Sequence, residues 1–144
     1  ENYVTHLMQE ANKLLNYQYQ QLQITQLSRL LSKQMITLQT TEEIVLVNTI
    51  DIIYCTSAIN YTHIWLFDKQ KLVISKTLGE IEKQLPPSIF FRIHQSYLIN
   101  LLWLKSFRKG KGGSAIMMDN TKLDVSSRKR ESFIQRLTQL EDFR

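Results

Sequence analysis

The sequence predicts a mainly β fold of the α+β class. It would consist of small antiparallel sheets with one short internal helix and a C-terminal helix, preceded by a helical segment. Three observations carry this. Apolar residues recur with helical spacing over roughly the first forty positions, and from Ile44 onward they fall into short runs rich in Ile, Val, Tyr and Thr. Turn-forming clusters separate those runs, and helical spacing returns after Ser126. At 144 residues and 17.0 kDa, the chain holds one domain with a substantial core plus an appended helix.

In the N-terminal segment, Val4, Leu7, Met8, Ala11, Leu14 and Leu15 form one apolar stripe, and Ile24, Leu27, Leu31, Met35 and Leu38 form a second. The stripes are one residue out of phase, which argues against a single coiled-coil seam. Two helices fit, as does one long helix whose exposed face changes partner midway. Residues 1–41 thus read as a helical linker or dimerisation element, or equally as a helix packed on its own domain.

Strands are expected at Ile44–Asn48, Ile50–Thr56, Tyr61–Phe67, Leu72–Ser75, Tyr97–Leu101, Leu104–Arg108, Ala115–Asp119 and Lys122–Val125. Asp68–Lys71, Gly110–Gly113 and Asp119–Thr121 supply turns. Thr77-Leu78-Gly79-Glu80 has the form of a capping box, and Pro86-Pro87 ends the helix it starts. The last helix begins at Ser126 or Ser127 and buries Phe133, Ile134, Leu137 and Leu140.

No window of 18 consecutive apolar residues exists, so a helical membrane span is not expected. The lone Cys55 cannot form an internal disulfide and the chain starts without a basic-then-apolar leader, which points to the reducing cytoplasm. A start at Glu1 rather than Met suggests a fragment of a longer protein. The net charge of +5 is uneven. Residues 1–41 carry +1, residues 42–104 carry −1, and residues 105–144, with ten Lys/Arg against five acids, carry +5. Such a local basic field concentrates polyanions, nucleic acid foremost, although a merely solvated face has the same composition.

Catalytic and metal chemistry find no support. His6, His63 and His94 lie in distant segments with no ligand-spaced partner, and Cys55 falls mid-strand, where an inert role is usual. Gly110–Ser114 lacks the phosphate-loop spacing and reads as a hairpin turn. No cofactor is expected, and the chain reads as a non-enzyme. Two features stand out instead. Arg128, Lys129 and Arg130 crowd the first turn of the last helix, where the backbone is already positive; an anion placed there relieves the cost, as does swinging the side chains into water. Phe90-Phe91-Arg92-Ile93-His94-Gln95-Ser96-Tyr97-Leu98-Ile99-Asn100 gathers Arg92, His94, Gln95 and Asn100 in one stretch. Gln and Asn pair with adenine and Arg with guanine, although such groups also cap loop backbone, Asn100 above all.

Four ordered signatures then carry a resemblance. They are Asp51-Ile52-Ile53-Tyr54 followed by Asn60-Tyr61-Thr62, Lys76-Thr77-Leu78, the Phe90–Asn100 run, and Leu123-Asp124-Val125-Ser126-Ser127-Arg128-Lys129-Arg130. From about Ile44 to Leu140 the chain resembles the LytTR DNA-binding domain of bacterial response regulators, the LytR/AgrA family. The resemblance implies elongated antiparallel sheets whose loops enter successive major grooves at direct repeats. It implies that Tyr61, Thr62 and His63 approach one groove or its phosphates. His94, Gln95 and Ser96 would form a base-reading turn, with Gln95 at the reading position. Arg128 would be the other principal reader, with Lys129 and Arg130 on phosphates. Relatives usually carry Arg or Lys where Gln95 stands, which shifts the expectation there from guanine towards adenine. Many carry Arg where Ser127 stands, which removes a phosphate contact.

The implied organisation is 1–41 as helical linker or end of a receiver domain, and 42–144 as the DNA-binding domain. The implied partners are double-stranded DNA, a receiver domain with its sensor kinase, and a second copy of the chain. The competing expectation is a β module that binds a partner protein, with the N-terminal helix as its oligomerisation element.

Overall fold

In the computed structural model residues 2–141 are described, with the side chains of 25–33 and 141 excepted. The chain divides into two compact units, Glu1–Met35 and Ile36–Arg144. The first is one uninterrupted helix, α1 (Asn2–Lys33), rather than two. No Gly or Pro occurs before Gly79, and the middle is rich in Gln, a good helix former, so nothing breaks the helix where the two stripes lose phase. Val4, Leu7, Met8, Leu14 and Leu15 are each half exposed or more. Of the second stripe, the Leu27 and Leu31 side chains lie outside the described residues.

The helical expectation fails for Met35 and Leu38. Both belong to a strand, β1 (Met35–Gln39), which pairs with β2 (Ile44–Asn48). Ile36 and Thr37 favour extended backbone. The Thr40 hydroxyl accepts from the Glu42 and Glu43 amides, closing the turn between the strands. Leu38 thereby enters the core of the second unit.

That unit is built on a five-stranded antiparallel sheet made of β3 (Ile52–Ala58), β4 (Tyr61–Leu66), β5 (Lys71–Ile74), β6 (Phe90–His94) and β7 (Tyr97–Asn100), in the order β5-β4-β3-β7-β6. A three-stranded sheet follows, with β9 (Ser114–Met117) between β8 (Leu104–Arg108) and β10 (Lys122–Asp124). β6 was not anticipated as a strand, because its mixture of Phe, Arg and His lacks strict alternation.

Two apolar cores flank the large sheet. The first gathers Ile52, Cys55, Ile64, Ile74 and Leu98 with Leu78 and Ile81 of the short helix α2 (Leu78–Gln84), whose N-cap is Thr77. The second gathers Ile53, Tyr54, Ile93, Ile99, Met117 and Leu123 with Phe133 of α3 (Ser127–Glu141). A shift in the β3–β4 register between Ile52 and Tyr54 lets two successive residues, Ile53 and Tyr54, face the second core while Ile52 and Cys55 face the first. Burial pushes the Cys55 thiol far up and makes it inert. It also raises the Tyr54 hydroxyl, against a hydrogen bond to Thr121.

Phe133 anchors α3, with its ring 5.4 Å from Phe91 and 5.5 Å from Phe107. Phe107 in turn requires a glycine at 113. A Cβ there would come within 2.9 Å of its ring, and φ is +76°. The Gly113 carbonyl accepts from the Val125 amide, which fixes the approach to α3.

Asn100 has no exposed surface. Its Nδ2 donates to the carbonyl of Ile52 at 2.9 Å and to that of Thr49 at 3.4 Å, and its Oδ1 accepts from the Leu102 amide at 2.9 Å. It therefore caps backbone rather than facing a ligand. It also ties the 3-10 turn at Thr49–Asp51, which displaces the expected start of β3 from Ile50 to Ile52, to the turn at Leu101–Trp103. Asn100→Ala leaves buried partners unpaired at about 1–3 kcal/mol each. Urea unfolding followed by the fluorescence of Trp65 and Trp103 should show a loss of about 2–5 kcal/mol.

Candidate nucleic-acid interface

Cross-strand pairing collects the predicted residues at one end of the large sheet. Thr56 on β3 is opposite both His63 on β4 and Tyr97 on β7, and Tyr97 is opposite His94 on β6. Directly opposed residues share a face, so His63, Thr56, Tyr97 and His94 form one transverse row, none of them buried. The His94 and Tyr97 rings lie 4.9 Å apart. The β6–β7 turn is tied to β3 by backbone, because the Ser57 amide donates to the Ser96 carbonyl at 3.0 Å.

Within the β4 triplet the three side chains diverge. Tyr61 is 44% exposed at the mouth of the hairpin, and His63 is half-buried on the same face. Thr62 points the other way with no exposed surface, and its hydroxyl donates to the Lys76 carbonyl at 2.7 Å. It is a scaffold residue that leaves Tyr61 and His63 to face outward.

The β6–β7 turn is held from several sides. The Ser96 amide donates to His94 Nδ1 at 3.0 Å, which leaves the proton of a neutral imidazole on Nε2 as a donor. Arg92 Nε donates to the His94 carbonyl at 3.1 Å, and its Nη2 donates to the Gln95 carbonyl. Gln95 itself is exposed. Arg92 therefore spends its guanidinium on the turn's backbone, which composition alone did not foretell.

The start of α3 reaches the same place. The Ser126 amide donates to the Ile93 carbonyl at 2.9 Å, setting the helix N-terminus against the end of β6. An open cleft of about 530 Å³ results, lined by Glu82, Arg92, His94, Gln95, Ser126, Arg128 and Lys129. The first turn of α3 holds no acidic residue. Arg130 turns away: its Nη2 donates to the Lys109 carbonyl at 3.0 Å and its guanidinium lies 5.9 Å from the Phe107 ring centre. Helical geometry explains this, since residues two apart along a helix face different directions. Glu82, on α2, also lines the cleft, and no motif had marked it. Its carboxylate pairs with Arg92 Nη1 at 3.1 Å.

The family model of the LytTr DNA-binding domain matches residues 42–138. The chain belongs to this family. The LytTr domain is a DNA-binding module that serves transcription regulation, and the basic cleft lies within the matched region. Sensory transduction protein LytT of Bacillus subtilis is 37% identical over 87 residues, covering 59% of this chain and 36% of LytT. The CO-responsive transcriptional regulator RcoM of Rhodospirillum rubrum is 40% identical over 42 residues, covering 29% of this chain and 18% of RcoM. The chain therefore spans about a third of LytT and less than a fifth of RcoM. In fold it is similar to the LytTr DNA-binding domain of a Bacillus cereus response regulator, with a TM-score of 0.64 at 22% identity over 72% of this chain and 96% of that one. Among the described residues no helix is long and apolar enough to cross a membrane, and no three His, Cys, Asp or Glu residues cluster as metal ligands.

One LytTr surface residue went unmarked in the sequence. Ile59, at the tip of the β3–β4 turn, is 96% exposed with φ +54°. A β-branched residue in left-handed backbone is strained by about 1–2 kcal/mol. Ile59→Asn, which tolerates that conformation, should raise the unfolding free energy by roughly 1 kcal/mol in urea titration. An unchanged or lowered value would show that the turn is not strained.

Proposed function

We propose that the domain reads double-stranded DNA through three converging elements. These are the β3–β4 end with Tyr61 and His63, the β6–β7 turn with His94, Gln95 and Ser96, and the first turn of α3 with Arg128 and Lys129. The observation that carries this reading is the cleft in which an exposed Gln95 meets the two cations of α3. A major groove about 12 Å wide admits a β-ribbon turn, and base edges there distinguish all four pairs. Gln95 suits adenine N6/N7, and Arg128 suits guanine O6/N7. Lys129, a mobile point charge, suits a phosphate. As the resemblance to LytTR domains implies, the proposed target is a pair of direct repeats entered through successive major grooves.

In the same proposal the protein is the output part of a two-component response regulator. α1 forms the linker or the end of a receiver domain addressed by a sensor kinase, and the unit Ile36–Arg144, which takes in β1 as well as residues 42–144, binds DNA. The matched stretch covers 36% of LytT, a sensory transduction protein, so LytT has room for a further domain. The exposed apolar residues of α1 support its use as a homodimer contact. Sedimentation of the chain with and without residues 1–34, a cut that spares β1, should show a dimer only when the helix is present.

Phosphate contacts supply most of the affinity and its salt dependence, and base contacts supply the specificity. Arg128→Ala should weaken binding at the selected duplex by about 1–3 kcal/mol and relax preference at one base pair. Equal weakening on random duplex would assign Arg128 to phosphate instead. Lys129→Ala should weaken all duplexes alike and reduce the slope of log K against log salt by about one unit. Fluorescence polarisation across a salt series measures both, and absence of salt-sensitive duplex binding by the parent would reject the DNA reading.

A further inference from the structure

Glu82 is the anomaly of the cleft. It is the acid among the lining residues, on a surface otherwise furnished with Arg92, Arg128 and Lys129. A carboxylate facing a polyanion weakens its binding, so Glu82 lowers affinity unless it does something else there. Its contact is specific: Oε1 meets Arg92 Nη1 at 3.1 Å. The rest of that guanidinium is committed to the turn, Nε to the His94 carbonyl and Nη2 to the Gln95 carbonyl. The β6–β7 register slips between Arg92 and His94, just before the last pair, His94 with Tyr97, so an irregularity adjoins the turn. Arg92 braces the turn with a rigid planar fork, and a lysine, with its single mobile charge, cannot hold two carbonyls and a carboxylate in one plane.

We propose that Glu82 and Arg92 form a positioning pair for sequence discrimination. Glu82 fixes the plane of the guanidinium, and the guanidinium fixes the backbone from which the Gln95 side chain is presented. Arg92 is thus a positioning residue that spends its charge inside the protein, and Glu82 exchanges general DNA affinity for accuracy at one base pair. This rests on the DNA-reading function proposed above. It differs from a simple stabilising ion pair because it predicts opposite effects on affinity and on discrimination.

The experiment uses the 144-residue chain and its Arg92→Lys and Glu82→Gln variants, with folding verified by urea midpoint. The first measurement is made without DNA, as amide hydrogen exchange and 15N relaxation at His94–Ser96. The second is polarisation titration against three probes: the duplex selected by the parent from a random pool, its single-base variants, and random duplex. Arg92→Lys should mobilise the turn and cut discrimination about tenfold at one base pair, the one whose preference Gln95→Ala also abolishes. It should leave the salt slope and the base pair governed by Arg128 unchanged. Glu82→Gln should reduce discrimination at that same base pair while tightening binding to random duplex. If Arg92→Lys fails to fold, Glu82→Gln carries both measurements. A turn that stays ordered in the variants overturns the positioning role. So does a uniform loss of affinity with a shallower salt slope in Arg92→Lys, which would make Arg92 a phosphate contact. Uniform tightening by Glu82→Gln with intact discrimination would reduce Glu82 to a repulsive charge. Failure of the parent to bind any duplex would instead reject the DNA reading, a result separable from the exchange data.

Discussion

Asn100 bonds from one buried carboxamide to the backbone at the start of β3 and to the turn leaving β7, and the geometry of the interface depends on that junction. β3 and β7 are neighbours at the centre of the large sheet, and their register determines which residues arrive opposite one another at its far end. There Thr56 meets Tyr97, and through them His63 is aligned with His94. A slip of one residue would turn each of these side chains to the other face. Asn100 resists that slip because its partners are buried, and shifting them would leave carbonyls without donors.

The opposite end of β7 follows a different rule. At Asn100 the polar groups are satisfied out of water, whereas at His94–Ser96 they are satisfied at the surface by side chains that also line the cleft. One end is stable because it is sealed. The other combines order with exposure, which a loop capped only by water would not have. α3 is brought to this end by a chain of apolar contacts, from Gly113 through Phe107 to Phe133, and by the bond from Ser126 to Ile93. Arg128 and Lys129 of its first turn therefore converge on the ordered turn because of packing behind them, against the preference of a helix N-terminus for negative charge.

Much of this was legible in the sequence, and the rest was not, for identifiable reasons. The strand at Ile44–Asn48, the Thr77 cap and the turns at Asp68 and Asp119 are local features, and local propensity decided them. Met35 and Leu38 satisfied a helical stripe by coincidence of spacing, and only pairing with β2 makes them strand. The individual fates of Arg92, Arg128 and Arg130 were hidden, because composition counts charges without directions. Arg92 and Arg130 are consumed by carbonyls that come from a turn and from a distant loop. Thr62, between exposed Tyr61 and half-buried His63, is buried by simple alternation, which the strand pattern contained and the motif obscured.

Charge and order divide the work of such a surface. Long-range attraction tolerates displacement of a charge by an ångström or more, since Coulomb energy in a screened medium varies slowly over that distance. Bidentate pairing to a base edge does not, because hydrogen bonds weaken steeply with misalignment. Mobile lysines can therefore supply attraction, whereas a reading side chain needs a fixed backbone beneath it. The bonds from Arg92 to the His94 and Gln95 carbonyls provide that fixation, with Glu82 holding the fork in place. A carboxylate in a basic cleft is thus consistent with polyanion binding, because its cost falls on attraction, which neighbouring cations can replace, and its benefit falls on alignment, which they cannot.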